Sequence, residues 1–312
     1  MTVAGCGALG STAAEILARA GVGFLRLVDR DVVELSNLAR QALFTEGDVA
    51  RALPKAVAAA EHLRLLNSEV EVEARVADLH PGTVDGLLAG TDLVLDGADN
   101  FETRMLVNEA CVRDGRPWIY AACLGSYAVC CAIRPGVTAC LRCFLEETPA
   151  PGEAETCETA GILGPAVHAA AALEAGQALR LLAGEPAGGA LLSVDVWKGE
   201  TAKVEVGGPR PGCPVCGERR FDYLERRAGS REVVLCGRTT VQVRPAAPAR
   251  VDLESLGARL RAAGEVERNA FLLRFRDGRG HELVCFPDGR VLVRGVGDPA
   301  EARGLVARFV GV

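Results

Sequence analysis

The first forty residues contain a glycine pattern and an acidic residue at a spacing typical of nucleotide-binding proteins. Gly5, Gly7 and Gly10 occupy the first, third and sixth positions of GCGALG, where a helix is predicted to begin. Such glycines let the backbone turn tightly and approach a phosphate, and the helix N-terminus adds partial positive charge. Asp29 ends a short apolar strand 19 residues after Gly10, where an acid is placed to bind ribose hydroxyls. The pattern predicts a Rossmann-type nucleotide site.

A polar segment with an arginine follows this acid, and a dinucleotide-binding enzyme does not require one. Residues 31–41 read DVVELSNLARQ. Further along, Pro54 is predicted to start an alanine-rich helix that runs to about residue 66, with Lys55 in its first turn. By its type and position alone, Lys55 is a solvated surface lysine, and the alternative is a contact with phosphate.

Polar side chains also follow the strand predicted at residues 93–96. Its continuous apolar pattern is typical of a buried strand in a parallel sheet. Asp96, Asp99 and Asn100 come at its carboxyl end, which is where doubly wound sheets bind ligands. An acid there suits a magnesium ion bound to phosphate oxygens, and Asp99 is predicted to be that ligand. The alternative role for Asp99 is a helix N-cap, while Asp96 is expected to make structural hydrogen bonds.

Two CxxC pairs indicate a structural metal site. Cys140 and Cys143 form the first pair, and Cys213 and Cys216 form the second after a gap of 69 residues. Four thiolates at such spacing suit a tetrahedral Zn²⁺ ion with no open position for catalysis. Redox CxxC pairs and simple buried thiols remain alternatives. The chain has 12 cysteines and opens without a signal-peptide pattern, so we expect reduced thiols and a cytoplasmic location.

One cysteine outside the two CxxC pairs has a distinct sequence setting. Cys157 stands near the end of a segment rich in Pro, Gly and Glu, residues 148–158, which is predicted to be a loop. An attacking thiolate needs a lowered pKa, and the flanking Glu155 and Glu158 oppose that. A nucleophile and an inert loop cysteine are both open for Cys157.

Composition limits the possible partners and the domain organisation. The 312 residues are 49% apolar with a net charge of −6 and no basic cluster, which argues against a nucleic-acid partner. The most apolar stretch, residues 166–184, carries charged side chains and is predicted to be a buried helix instead of a membrane span. We expect a nucleotide-binding domain that includes the cysteine pairs over residues 1–220 and, after a charged linker, a small α+β domain of unknown role over residues 232–312.

The predicted elements indicate an α/β fold with a Rossmann-like, doubly wound mixed sheet. Parallel strands are predicted at residues 1–4, 24–28, 70–74, 93–96 and 118–122. Residues 127–133 and 136–138 are predicted to form a hairpin that leaves the parallel pattern, and late strands are expected at 191–195 and 201–206. The second domain is predicted to contain short strands, two helices and a three-stranded meander over residues 271–293.

Taken together, the motifs resemble those of the ThiF/MoeB/HesA family, bacterial relatives of ubiquitin-activating enzymes. The likeness runs from residue 2 to about residue 217. It is carried by GCGALG, LVDRDVVELSNLARQ, the Pro-Lys pair at 54–55, DNFETR at 99–104, the two CxxC pairs and TCETAG at 156–161. The resemblance implies ATP- and Mg²⁺-dependent adenylation of the C-terminal glycine of a ubiquitin-like sulfur-carrier protein ending in Gly-Gly. It also implies a homodimer, a structural zinc ion, and a possible sulfurtransferase or cysteine desulfurase partner in thiamine, molybdopterin or tRNA sulfur transfer.

The resemblance also assigns roles to individual residues. Arg40, Lys55 and Asp99 are expected to be catalytic, together with Cys157. The nucleotide and its phosphates are expected to contact Gly5, Gly7, Ala8, Gly10, Asp29, Ser36, Asn37, Arg40, Gln41, Lys55, Asp99, Asn100 and Arg104. Zinc is expected at Cys140, Cys143, Cys213 and Cys216.

Two departures from the family pattern and two other functions accompany these expectations. The family usually has glycine at the position of Ala8, so we expect weaker ATP binding. The family usually begins with a helical segment whose arginine reaches the neighbouring subunit's ATP site. Residue 1 already begins the first strand here, so we expect either that this arginine is lacking or that the start of the chain is truncated. An NAD-dependent oxidoreductase on the same cradle and a non-catalytic, zinc-stabilised scaffold for a small protein stay open.

Overall fold

The computed structural model describes residues 1–145, 160–225, 232–234, 240–245 and 249–311. Contacts divide the chain into two compact units, Met1–Arg227 and Ala228–Val312. Among the described helices, none is both long enough and apolar enough to span a membrane.

The first unit is built on an eight-stranded mixed sheet of order β3-β2-β1-β4-β5-β6-β7-β8. The first five in that order pair in parallel, and the last three are added by antiparallel pairing. The strands are β1 (Thr2–Ala4), β2 (Phe24–Asp29), β3 (Glu71–Val76), β4 (Val94–Asp96), β5 (Trp118–Leu124), β6 (Tyr127–Ile133), β7 (Ala190–Asp195) and β8 (Glu200–Glu205). This confirms the predicted α/β fold with its mixed, mainly parallel sheet.

Helices connect and cover these strands. They are α1 (Ala8–Arg19), α2 (Glu46–Ala50), α3 (Lys55–Leu66), α4 (Val84–Leu88), α5 (Phe101–Asp114), α6 (Leu141–Phe144), α7 (Gly164–Leu182) and α8 (Asp222–Glu225), with a 3₁₀ turn at Leu35–Asn37. The central strands β1 and β4 are buried along their whole length, as apolar strands covered on both faces must be.

The chain order of the strands creates a crevice at one edge of the sheet. From β1 the chain moves outward to β2 and β3, then returns to the other side of β1 and continues with β4 and β5. The carboxyl ends of β1 and β4 therefore lie at a topological switch point, where open α/β sheets bind ligands. Residues 5–10, 29–31 and 96–100 all follow strands that end at this edge.

One predicted connection is wrong. Residues 136–138 were expected to pair with residues 127–133, but β6 pairs with β5 on one side and with β7 on the other. The N–H groups of Val137 and Thr138 donate to the carbonyl of Arg134, so this segment is a turn. Gly136 has a φ of +80°, which favours a turn over a continued strand.

The second unit is a six-stranded antiparallel sheet of order β11-β12-β13-β14-β10-β9 with two helices. Its elements are β9 (Glu232–Val234), β10 (Thr240–Val243), α9 (Leu253–Leu260), β11 (Glu265–Arg268), β12 (Leu273–Arg276), β13 (Glu282–Cys285), β14 (Val291–Arg294) and α10 (Pro299–Phe309). Strand residues Phe275, Leu283 and Val293 are buried in one cluster with Leu256 and Val306 of the helices. The predicted meander is one strand longer than expected, because β11 is charged and gives no apolar signal.

Candidate active site and metal centre

The glycines of the cradle have different physical requirements. A Cβ at Gly10 would lie 1.9 Å from the carbonyl oxygen of Gly5, and one at Gly5 would lie 2.4 Å from that of Gly97. These two positions are therefore fixed by close packing between the turn, α1 and the end of β4. A Cβ at Gly7 would meet nothing within 4 Å among the described residues. The space beside Gly7, at the N-terminus of α1, is open and has the polarity that suits an anion.

Asp29 is fixed by the backbone around it. One carboxylate oxygen accepts the N–H of Cys6 at 2.7 Å, and the other accepts the N–H of Asp31 at 2.7 Å. Burial raises the pKa of Asp29, and the nearby Lys55 opposes that rise. Each carboxylate oxygen can accept more than one hydrogen bond, so Asp29 keeps acceptor capacity for the ribose hydroxyls predicted to bind it.

Lys55 is buried instead of lying on the surface. Its side chain is 10% exposed, and Nζ lies 3.2 Å from Oδ2 of Asp31. Burial alone would lower the pKa of Lys55, but the carboxylates of Asp31, Asp29 and Asp99 raise it above its usual range. The ammonium group is therefore charged and held within electrostatic range of the acids at the crevice. The interpretation of Lys55 as a solvated surface lysine is wrong.

The polar segment of residues 31–41, which contains Arg40, has buried polar groups with no hydrogen-bond partner among the described residues. Arg40 Nη1 donates a hydrogen bond to the carbonyl of Ser36 at 3.0 Å. Among the described residues, no hydrogen bond joins Arg40 to Lys55 or to Asp99. Asn37 and Gln41 are 8% and 4% exposed. Their side-chain oxygens have no hydrogen-bond partner among the described residues. A buried polar atom without a partner destabilises the fold by about 1–3 kcal/mol, so these two amides favour a bound polar ligand or water.

Asp99 and Asn100 have separate roles at the start of α5. Asn100 is the N-cap, since its Oδ1 accepts the N–H of Thr103 at 2.8 Å. Asp99 is exposed, accepts a hydrogen bond from Asn100 Nδ2 at 2.9 Å, and lies within electrostatic range of Lys55. The N-cap alternative for Asp99 is therefore wrong, and its carboxylate remains open to a cation.

Arg104 supports the loop that carries Asp99. Its Nε donates to Oδ2 of Asp96 at 2.9 Å, and Nη2 donates to the carbonyl of Ala98 at 2.8 Å. Both the guanidinium and the Asp96 carboxylate are buried, so Asp96 has the structural hydrogen bonds expected of it. The contact predicted between Arg104 and a nucleotide stays a prediction.

The four cysteines of the two CxxC pairs converge. Their Sγ atoms all lie within 4.8 Å of one another. Cys140 Sγ is 3.9 Å from Cys143 Sγ and 3.7 Å from Cys213 Sγ, and Cys143 Sγ is 3.4 Å from Cys216 Sγ. Zn–S bonds of about 2.3 Å in a tetrahedron require sulfur atoms about 3.8 Å apart. The cluster is compatible with a structural zinc site.

Helix α5 anchors both cysteine pairs. The side-chain oxygen of Asn108 accepts the N–H of Leu141 at 3.0 Å, which holds α6 and the first pair. Glu109 Oε2 accepts the N–H groups of Tyr223 and Leu224 at 2.8 and 2.9 Å, which holds the segment after the second pair. Both anchoring side chains are buried.

The comparison with known proteins agrees with this geometry. The ThiF family profile matches residues 1–215, which is more than half of the chain. The chain belongs to the ThiF family. The resemblance inferred from the motifs is confirmed.

Relatives of this ThiF-family chain match different shares of its length. The sulfur carrier protein ThiS adenylyltransferase of Bacillus subtilis is 43% identical over 311 residues, covering 99% of this chain and 92% of that protein. The SAMP-activating enzyme E1 of Haloferax volcanii is 38% identical over 227 residues, covering 72% of this chain and 83% of that protein. The likeness to the Bacillus protein therefore includes the second unit.

Solved structures with the same fold include Escherichia coli MccB with ATP, at a TM-score of 0.61 and 26% identity. That match covers 69% of this chain and 65% of MccB, so the chain spans slightly less than two thirds of the MccB structure.

Some residues of this ThiF-family site were missed by sequence reasoning. Gly97 packs against the cradle turn, where a Cβ would lie 2.1 Å from the carbonyl of Gly5. The Gly-Ala step after β4 was a usable signal for such close packing. Asn108 and Glu109 lie inside a helix and gave no signal. Cys157, the predicted nucleophile, lies outside the described residues, so its role stays a prediction.

Proposed function

We propose that this ThiF-family chain is an adenylyltransferase. It transfers AMP from ATP to the C-terminal glycine carboxylate of a ubiquitin-like sulfur-carrier protein and releases pyrophosphate. The observation that carries the proposal is the 43% identity to an adenylyltransferase of a sulfur carrier protein over 99% of the chain. The charged crevice and the open space beside Gly7 support it, because both suit a nucleoside triphosphate.

The proposed reaction needs positioning more than proton transfer. A carboxylate oxygen of the carrier attacks the α-phosphorus of ATP, and the bond from that phosphorus to the bridging oxygen of pyrophosphate breaks. The carrier supplies the nucleophile as an anion, so no protein base is required. Lys55 and Arg40 offset negative charge on the phosphates, and the backbone N–H groups at the start of α1 orient them.

Asp99 is the proposed ligand for Mg²⁺. Its exposed carboxylate beside a phosphate site is the oxygen donor that this cation prefers. A Mg²⁺ ion held by Asp99 would supply positive charge to offset that of the phosphate oxygens. The four cysteine thiolates are proposed to hold one Zn²⁺ ion with a purely structural role.

The proposed partners follow from the same activity. Solved MccB structures include complexes with MccA, among them one that also holds AMPCPP and one with N-formylated MccA, which is a precedent within the fold for binding a partner of this kind. For this chain we propose a carrier ending in Gly-Gly, a symmetric homodimer, and a sulfurtransferase or cysteine desulfurase that supplies sulfur to the adenylated carrier. A cytoplasmic setting keeps the cysteine pairs reduced for zinc binding.

The test is exchange of labelled pyrophosphate into ATP by the purified chain, with and without a Gly-Gly carrier protein. We expect carrier-dependent exchange, and we expect Asp99→Asn to reduce it at least about 100-fold. Glu102→Gln is the matched control, because Glu102 is an exposed acid three residues further along, and it should exchange normally. Normal exchange by Asp99→Asn would remove Asp99 from the proposal.

The same preparation separates the other two functions. ATP with Mg²⁺ should raise the melting temperature and NAD should not, since a ligand stabilises the folded form to which it binds. Stabilisation by NAD alone would favour an oxidoreductase. No stabilisation by either nucleotide, together with retained carrier binding, would favour a scaffold.

A further inference from the structure

Arg30 and Asp78 form a buried ion pair beside the cradle that the proposed function does not use. Arg30 directly follows Asp29 at the end of β2, and Asp78 lies two residues after the end of β3. Arg30 Nη1 is 3.0 Å from Asp78 Oδ1, and the two side chains are 14% and 7% exposed. An ion pair this deeply buried keeps one geometry, whereas exposed pairs exchange with water.

The pair continues the pairing of two neighbouring strands beyond their ends. At the last rung of the β2–β3 ladder, the N–H of Ala77 donates to the carbonyl of Asp29 at 3.1 Å. The Arg30–Asp78 contact is the next link between the two chain segments. The hydroxyl of Thr83 donates to the carbonyl of Asp78 at 2.6 Å, which ties the loop to the start of α4. The backbone that carries Asp29 is therefore held from the β3 side as well as from the cradle.

The charge of Arg30 is permanent. Burial alone would lower the pKa of Arg30, but the carboxylates around it, with Asp78 first among them and Asp99 next, raise it. The guanidinium therefore stays protonated, and its side of the pair does not titrate.

We propose that the Arg30–Asp78 pair is a positioning element that sets the preference of this site for ribonucleotides over 2′-deoxyribonucleotides. It does so by fixing the Asp29 carboxylate where ribose hydroxyls donate to it. A site rejects an analogue that lacks a hydroxyl only when the acceptor for that hydroxyl cannot relax to another partner. This inference rests on the proposed function, because it takes the ribose to lie at Asp29.

The experiment compares ATP with 2′-deoxy-ATP in carrier-dependent pyrophosphate exchange. For Arg30→Met we expect the preference for ATP to fall about tenfold through a higher KM for ATP, with kcat and the KM for the carrier unchanged. Arg30→Lys should retain most of the preference. Asp78→Asn should resemble Arg30→Met, and the double variant should be no worse than either, because one interaction is lost in all three.

The chain offers a matched control on the same two strands. Arg26 of β2 pairs with Glu73 of β3 at 2.6 Å, at a position within the ladder and away from the strand ends. Arg26→Met should leave the preference for ATP unchanged. An equal loss of preference in Arg26→Met would reduce Arg30 to a general structural role, and an unchanged preference in both Arg30→Met and Asp78→Asn would overturn the inference.

Failure of the proposed function gives a different result. In that case the parent protein shows no exchange with either nucleotide. Calorimetric titration of the parent protein and Arg30→Met with ATP and 2′-deoxy-ATP then tests the pair alone. Equal ratios of the two dissociation constants in both proteins would overturn the inference.

Discussion

The nucleotide cradle and the four-cysteine cluster are both assembled from polar or reactive side chains, but they differ in whether those side chains already have partners within the chain. In the cradle, the amide oxygens of Asn37 and Gln41 are buried and have no hydrogen-bond partner within the part of the chain that the structure describes, and the space beside Gly7 is open. In the cluster, three of the sulfur–sulfur distances are 3.9, 3.7 and 3.4 Å, close to those of a tetrahedral zinc site, and three of the four cysteines are buried. A site that exchanges its ligand leaves groups for that ligand to satisfy, whereas a structural metal site is complete within the chain.

The two regions share one helix. At its first turns, α5 carries Asn100 as its N-cap and holds Asp96 through Arg104. Two turns later, Asn108 and Glu109 of the same helix anchor the two cysteine pairs. The comparison therefore predicts that substitutions in the cluster act on stability first, while those in the cradle divide between stability and nucleotide binding according to position.

The largest effect is expected from Cys213→Ser. Loss of one thiolate should abolish stoichiometric zinc and lower the free energy of unfolding by at least about 3 kcal/mol, because metal binding is coupled to folding. Metal analysis should find about one Zn²⁺ per parent chain and almost none in the variant. A thermal melt at equal protein concentration should show a drop of roughly 10 °C.

A buried cysteine outside the cluster serves as the control for this substitution. Cys285→Ala should keep full zinc content, since Cys285 lies on β13 in the second unit. Retention of zinc and an unchanged melt in Cys213→Ser would show that the two pairs do not form one site, and the contrast with the cradle would fail.

The same contrast explains what the sequence could predict. The cradle was predictable because its signals are contiguous: GCGALG, the acid at Asp29 and the Pro-Lys step all fall within 55 residues. The pairing of the two CxxC motifs depended on the family resemblance, because the gap of 69 residues carries no geometric information. Gly97, Arg30 and Asp78 were missed because their roles arise from contacts between chain segments that are distant in sequence. The predicted pairing of residues 127–133 with residues 136–138 was wrong for the same reason.

The next effect separates two glycines of one motif. Gly10→Ala should destabilise the fold by about 2–3 kcal/mol, because its Cβ would lie 1.9 Å from the carbonyl oxygen of Gly5. Gly7→Ala should change stability by less than about 0.5 kcal/mol, since its Cβ enters open space and its φ is −72°. Its KM for ATP should instead rise about tenfold. Chemical denaturation and exchange kinetics measure the two quantities, and equal destabilisation by both variants would contradict the division.

Lys55→Met should affect chemistry more than folding. We expect kcat/KM for ATP to fall about 100-fold, because a charged group that stabilises the phosphates in the transition state is lost. Lys198→Met is the control, since Lys198 is 63% exposed on a hairpin and should exchange normally. A normal kcat/KM in Lys55→Met would limit Lys55 to its ion pair with Asp31.

A pH-dependent effect on stability is expected at Glu174 on α7. This side chain is fully buried, and among the described residues neither carboxylate oxygen makes a hydrogen bond of good geometry. Burial first, and then the charge of Asp96, raise the pKa of Glu174 well above its ordinary value of 4.5, against smaller opposing effects of the backbone of Asp96 and of the charge of Arg104. Between the unfolded and folded pKa values, the folded state binds more protons than the unfolded state, so stability falls as pH rises.

Glu174→Gln removes this dependence while it preserves shape. The variant should match the parent protein in acid and become progressively more stable than the parent as pH rises above 4.5, by about 1.4 kcal/mol for each unit of pH until the folded pKa is reached. Urea denaturation at pH 5, 7 and 9 measures it, with Glu102→Gln as an exposed control. A constant difference between variant and parent across this range would show that Glu174 titrates normally.

The smallest effect on adenylation is expected from Cys157→Ala, because the carrier's own carboxylate is the nucleophile in that step. Pyrophosphate exchange should therefore be unchanged within about twofold. Any thioester or acyl-disulfide adduct between enzyme and carrier should disappear, because Cys157 is the cysteine that the family motif assigns to it. The flanking Glu155 and Glu158 disfavour the thiolate form of Cys157. Intact mass under non-reducing conditions, after incubation with carrier and ATP, separates the cases. An adduct that persists in Cys157→Ala would move the covalent role to another cysteine, and the absence of an adduct in the parent protein would leave Cys157 without one.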